Sequence, residues 1–82
     1  MIRVRFFATL KRLAGCETAE YDIKAPVTVA GLKEMLKKER PALSEVLDGR
    51  SVLISVNQEF ATNDTLIEYG DEVAFLPPFS GG

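Results

Sequence analysis

Residues 2–8, Ile-Arg-Val-Arg-Phe-Phe-Ala, alternate apolar and charged with a period of two. Ile2, Val4 and Phe6 therefore share one face of a strand, with Arg3, Arg5 and Phe7 on the other. Phe7 is the odd member of the polar face. Two readings fit it: a ring lying over a neighbouring strand, or part of a binding patch. Residues 9–17 place Leu10, Leu13 and Ala14 among Lys11 and Arg12 and then reach Gly15, a pattern for a short irregular or helical turn that closes a hairpin. Thr18 to Ile23 reads as the second strand, with Tyr21 and Ile23 as its apolar positions.

The one clear helical signature follows Pro26-Val-Thr-Val. Thr28 is a suitable N-cap, and Val29, Leu32, Met35 and Leu36 form an apolar stripe opposed by Lys33, Glu34, Lys37 and Lys38. Gly31 in the first turn costs about 1 kcal/mol relative to alanine, so this helix depends on tertiary packing. Pro41 is expected to end it. Leu43, Val46 and Leu47 then predict one helical turn tucked under the sheet, before Asp48-Gly49.

Val52 to Asn57 is apolar on both faces, as in a central strand. Asn57-Gln58-Glu59 turns the chain, Phe60 lies on a loop or very short strand, and residues 62–65 turn it again. Leu66 to Asp71 leads into a last strand in which Val73 and Phe75 face the core while Ala74 and Leu76 face outward. The order is strand, strand, helix, strand, short strand, strand. A hairpin, a helix crossing its sheet and a final strand parallel to the first make an α+β fold of the β-grasp, ubiquitin-like kind. Its mixed sheet has four to five strands, with the main helix packed on one face.

Pro77 and Pro78 lack N–H donors, so sheet pairing is expected to stop near Leu76. The chain thus divides into a domain, residues 1–76, and an extended tail, residues 77–82, that ends in Gly81-Gly82. Six extended residues reach about 20 Å. Two residues without Cβ atoms let a narrow channel close around the backbone and leave the terminal carboxyl carbon unhindered. That tail suits chemistry performed on it in another protein's active site. A carboxylate with an ordinary pKa of about 3.3–3.7 is a poor electrophile at neutral pH, so it needs activation, for example as a mixed anhydride with AMP. The sequence carries no Gly-rich phosphate loop with Lys and Ser/Thr, so a separate enzyme is expected to supply the ATP chemistry.

Composition narrows the function further. With 82 residues, 46% of them hydrophobic, the chain makes one domain. A net charge of −2 argues against nucleic acid or an anionic membrane as the main partner. No apolar run approaches the roughly 18 residues of a membrane span, and arginines interrupt any signal-peptide core at the start, so a cytoplasmic protein is expected. The lone Cys16 excludes an internal disulfide and reads as incidental, while the absence of histidine removes the commonest general base and metal ligand. Neither a cofactor nor a metal is called for. Such a chain is poorly equipped to be an enzyme by itself.

Val4-Arg-Phe-Phe-Ala8, Val56-Asn57-Gln58, the run Tyr69-Gly-Asp-Glu-Val-Ala-Phe-Leu-Pro-Pro78 and the terminal Gly81-Gly82 together resemble the MoaD family, the small sulfur-carrier subunit of molybdopterin synthase. The resemblance spans nearly the whole chain. Diglycine alone also ends ubiquitin-like modifiers and the thiamine sulfur carrier; the run through the two prolines is more specific. The resemblance implies that Gly82 is adenylated by an E1-like, MoeB-like adenylyltransferase and converted by a sulfur donor to a thiocarboxylate. The tail then enters the large, MoaE-like subunit and gives its sulfur to cyclic pyranopterin monophosphate. It also implies that Phe7, Phe60 and Leu76 form an apolar contact surface for both partners. Pro77, Pro78 and Phe79 accompany the tail, Phe79 either lining its channel or merely tolerated there. The alternatives are a protein modifier joined to lysines through Gly82, and a carrier for another sulfur pathway such as thiamine thiazole synthesis.

Overall fold

The computed structural model describes residues 1–23, 26–49 and 52–77. Strand β1 (Ile2–Phe6) runs into helix α1 (Thr9–Ala14), which Gly15 ends in a left-handed conformation, φ 79°, its N–H donating to Lys11 O at 3.0 Å. Strand β2 (Thr18–Tyr21) returns antiparallel to β1, with Ile2 opposite Tyr21 and Arg5 opposite Thr18. The expected hairpin is present, with α1 as its connection.

Helix α2 (Val29–Glu39) begins at Thr28, whose Oγ1 accepts from the Gly31 amide at 3.1 Å, and stops two residues before Pro41. Val29, Leu32 and Leu36 are fully buried, as the stripe predicts. Met35 is not: at 39% exposure it lies on the flank of the helix. Its position two turns along the i, i+3 series drifts off the buried arc, which Leu32 and Leu36 already fill. Leu13 of α1 is likewise 38% exposed while Leu10 and Ala14 are buried. A 3-10 turn (Pro41–Leu43) and helix α3 (Ser44–Asp48) follow, and their Leu43 and Leu47 close the core beneath α1 and α2.

Strands β4 (Leu53–Val56), β5 (Glu59–Phe60) and β7 (Glu72–Leu76) complete a five-stranded sheet in the order β2-β1-β7-β4-β5. The central pair, β1 and β7, is parallel and the other pairings are antiparallel. Such a mixed sheet with its last strand beside its first is the β-grasp arrangement. Val4 sits opposite Val73 and Phe6 opposite Phe75, whose rings stack 6.0 Å apart. The alternation therefore holds on both central strands: their odd and even positions divide between core and outer face.

The stretch before β7 differs from the sequence expectation. Strand β6 (Leu66–Ile67) does not lead directly into β7; it pairs with strand β3 (Val27–Thr28) in a separate two-stranded ribbon. That ribbon anchors the start of α2, whose Val29 and Ala30 amides donate to Thr65 O and Asn63 O at 3.0 Å. Two-residue strands leave no period-two pattern to read, which is why the ribbon is invisible in the sequence.

Candidate functional site

Helices cover one face of the sheet, and the opposite face carries the candidate site. Cross-strand partners share a face, so the register defines its rows. One row runs Thr18, Arg5, Ala74, Ser55, Phe60 across β2, β1, β7, β4 and β5. The next contains Leu76 and Leu53, directly opposite one another. Phe7 lies just beyond β1 and extends this row, its amide donating to Phe75 O at 3.2 Å.

Of the residues expected here, Phe60 is 83% exposed, a very large value for an aromatic side chain, while Phe7, Leu76 and Pro77 are half-buried. Together with Leu53 and Ala74 they make one apolar area at the end of the sheet where β7 finishes. Leu53 is the member that sequence reasoning passed over. Its signal was present in the apolar character of both faces of Val52–Asn57, which leaves one face unaccounted for once the core takes Ile54 and Val56. Pro78, Phe79, Gly81 and Gly82 lie outside the described residues.

Charged side chains border the apolar area on the β1–β2 side. Arg5 stands with its guanidinium carbon 5.0 Å from the Phe7 ring centroid, a cation–π contact, and its Nη1 is 3.7 Å from Glu72 Oε1. Arg3 approaches Glu20 at 4.0 Å. The backbone just after Phe7 is strained: Ala8 holds φ 53°, ψ −126°, a conformation that non-glycine residues avoid. It swings the chain from β1 into α1 and leaves Phe7 as the last side chain on the outer face.

Among the described residues the rest of the surface offers no catalytic constellation. A cleft of about 490 Å³ between α2 and the α3–β4 connection is lined by Lys33, Lys37, Glu34, Asp48 and Asn63. Its charges satisfy one another: Lys37 Nζ lies 2.6 Å from both Asp48 Oδ1 and Glu34 Oε2, and Lys33 Nζ donates to Asn63 Oδ1 at 2.7 Å. Hydrogen bonding to Asp48, then to Glu34, raises the Lys37 pKa, whereas burial lowers that of Lys33. Among the described residues no cluster of three or more His, Cys, Asp or Glu side chains could hold a metal ion, and no helix is long and apolar enough to cross a membrane.

The comparison with known families decides the assignment, since the ThiS family model matches residues 4–82. The chain belongs to the ThiS family. Within this ThiS and MoaD group it is similar to the molybdopterin synthase sulfur carrier subunit of Escherichia coli (strain K12), with 35% identity over 82 residues covering 100% of both chains. The crystal structure of SAMP1 from Haloferax volcanii superposes with a TM-score of 0.86 at 31% identity, over 99% of this chain and 98% of that one. Subunit 1 or 2 in the protein–protein complex of Helicobacter pylori molybdopterin-converting factor matches at a TM-score of 0.66 and 29% identity, over 99% of this chain and 97% of that one. This ThiS-family chain is thus a homologue of sulfur-carrier small subunits, proteins that are not catalysts by themselves.

Proposed function

We propose that this protein is the sulfur carrier of a molybdopterin synthase. The observation that carries the reading is the end-to-end similarity to a molybdopterin synthase sulfur carrier subunit, without a gap in coverage on either side. Residues 1–76 act as the body that partners grip, and residues 77–82 as the arm that carries the reacting atom. In the cycle, a Gly82 carboxylate oxygen attacks the α-phosphorus of ATP in a separate adenylyltransferase, forming the acyl adenylate and releasing pyrophosphate. A sulfur donor attacks the acyl carbon, AMP leaves, and a thiocarboxylate remains. Inside the large synthase subunit that sulfur passes to cyclic pyranopterin monophosphate, and water restores the carboxylate.

The apolar outer face suits this cycle because both partners need the same grip in turn. Phe7, Phe60, Leu76 and Leu53 supply it beside the point where the arm departs, with Pro77, Pro78 and Phe79 leading toward Gly81 and Gly82. The cycle belongs in the cytoplasm, where ATP is available to the activating enzyme.

Intact-mass measurement of the protein isolated from its own host tests the reading. A species heavier by the difference between sulfur and oxygen is expected, and it should convert cyclic pyranopterin monophosphate when the large subunit is added. A second reading, a modifier joined to lysines through Gly82, draws support from the likeness to SAMP1. Isopeptide-linked adducts in place of the heavier species would favour it and overturn the first.

A further inference from the structure

We infer that the partner docking on the outer face brings a carboxylate to Arg5, so that this residue selects partners by charge from the border of an otherwise apolar grip. The inference rests on the reading of that face as the docking surface for the large synthase subunit, which is the occupant it commits to.

Arg5 is in line with Ala74, Ser55 and Phe60 across the sheet and adjoins Phe7, just beyond the end of its own strand. Because Arg5 lies against the Phe7 ring, a partner that covers Phe7 reaches Arg5 as well. The guanidinium offers five N–H donors in a planar fork. Among the described residues it makes no hydrogen bond: Glu72 Oε1 stands at 3.7 Å, close enough for attraction but too far for a hydrogen bond, and Phe7 offers only its ring face. With the Arg5 side chain 38% exposed, water satisfies those donors in the free protein.

Docking removes that water. Donors left without acceptors in a covered apolar surface oppose binding, so a complementary partner must supply one. A carboxylate matches the fork in shape and charge and can accept two parallel bonds. The Glu72 carboxylate attracts the guanidinium without accepting a hydrogen bond from it, and the Phe7 ring lies beside it. The donors of Arg5 thus stay available to the partner.

Binding of the large subunit to three forms of the full-length carrier tests this: the unaltered protein, Arg5→Leu/Glu72→Gln and Leu76→Asp. Removing Arg5 and Glu72 together avoids leaving Glu72 stranded under the partner. The double variant is expected to raise Kd by on the order of tenfold or more, because the partner's carboxylate is left buried and unpaired. If the partner brought only apolar surface, the added leucine would leave Kd unchanged or lower it, and the inference would be overturned. The unaltered complex gives a second measurement that needs no variant: its affinity should fall as salt rises from low to physiological ionic strength. A flat salt profile would equally refute a partner carboxylate. Leu76→Asp separates the two levels of the argument. Normal binding by that variant removes the docking face itself, whereas weakened binding there with unimpaired binding by the double variant removes only the role of Arg5.

Discussion

Asn57 Nδ2 donates to Asp71 Oδ1 at 3.0 Å while Asn57 Oδ1 accepts from the Glu72 amide at 3.0 Å, so one side chain ties the β4–β5 turn to the start of β7. The backbone repeats the tie, with the Asn57 amide donating to Glu72 O at 2.7 Å. Asp71 also accepts from the Glu68 amide through Oδ2, and its carbonyl receives the Arg3 amide. Asn57 and Gln58 both hold positive φ, 51° and 70°, which is the backbone of a tight hairpin turn of the primed kind. Two of the segments by which the sequence resembles its family, Val56-Asn57-Gln58 and Gly70-Asp71-Glu72, are therefore one structural latch.

That latch predicts graded losses. Asn57→Gly removes the side-chain bonds but keeps the conformation, and should cost about 1 kcal/mol. Asn57→Ala removes the bonds and also places a Cβ in the left-handed region, so a loss of about 2 kcal/mol is expected. Urea unfolding of both variants checks this. Equal losses would show that backbone conformation contributes nothing, and two stable variants would remove the latch.

The long periodic elements were legible in the sequence because each keeps one period along its length: β1, α2 with its Thr28 cap, and β7 all appear where alternation and helical spacing put them. Leu76 was legible as an outward residue from the alternation of β7, and Phe60 only as an aromatic on a loop or very short strand. Met35 was misplaced because a helical stripe specifies an arc, and only packing fixes its edges. Leu53 was missed because a strand apolar on both faces gives no indication of which side meets solvent. The β3–β6 ribbon depends on contacts between segments nearly forty residues apart, which no local pattern encodes.

Gly31 illustrates how packing overrides propensity. A Cβ at this position would lie 2.7 Å from Val27 Cγ2, too close for any real contact. Glycine is thus needed where β3 folds against the first turn of α2. Gly31→Ala should lose stability by about 1 kcal/mol despite a helix-propensity gain of similar size, because overpacking exceeds it. In a Val27→Ala background the same change should become stabilising. A thermodynamic cycle over the four proteins measures the coupling. If Gly31→Ala stabilises the unaltered protein, the close approach is wrong.

Tyr21 makes the alkaline limb of stability informative. Its hydroxyl donates to Glu39 Oε1 at 2.9 Å. Burial is the main cause that raises its pKa above the ordinary 10.0; Arg40 hydrogen bonding opposes this, and Glu39 adds to it. A raised folded-state pKa means that the neutral phenol is favoured in the fold. The stabilisation is fully present below about pH 10 and is lost as pH climbs through the folded-state value. Stability measured against pH should therefore fall less steeply above pH 10, on the order of the unperturbed tyrosine pKa, in Tyr21→Phe than in the unaltered protein. Identical alkaline limbs would show that Tyr21 is not the group responsible.

Leu53 and Thr18 mark the two sides of the outer face, and substitutions at the two should have different consequences. Leu53 lies directly opposite Leu76, in the apolar area; Thr18 lies beyond Arg5 on the edge strand β2. Leu53→Asp puts a carboxylate where a partner must exclude water, so affinity for the large subunit should drop by on the order of tenfold or more. Because Leu53 is only half-buried, the accompanying stability loss should be about 1 kcal/mol. Thr18→Gln is exposed, lies at the β2 end of its row and adds no charge opposite Arg5, so it should leave both quantities unchanged. Titration of the large subunit with the two variants, alongside their thermal unfolding, distinguishes a grip that ends at β1 from one that also covers β2. Equal weakening by both variants would mean that the partner covers β2 as well, and the border drawn at Arg5 would have to be abandoned.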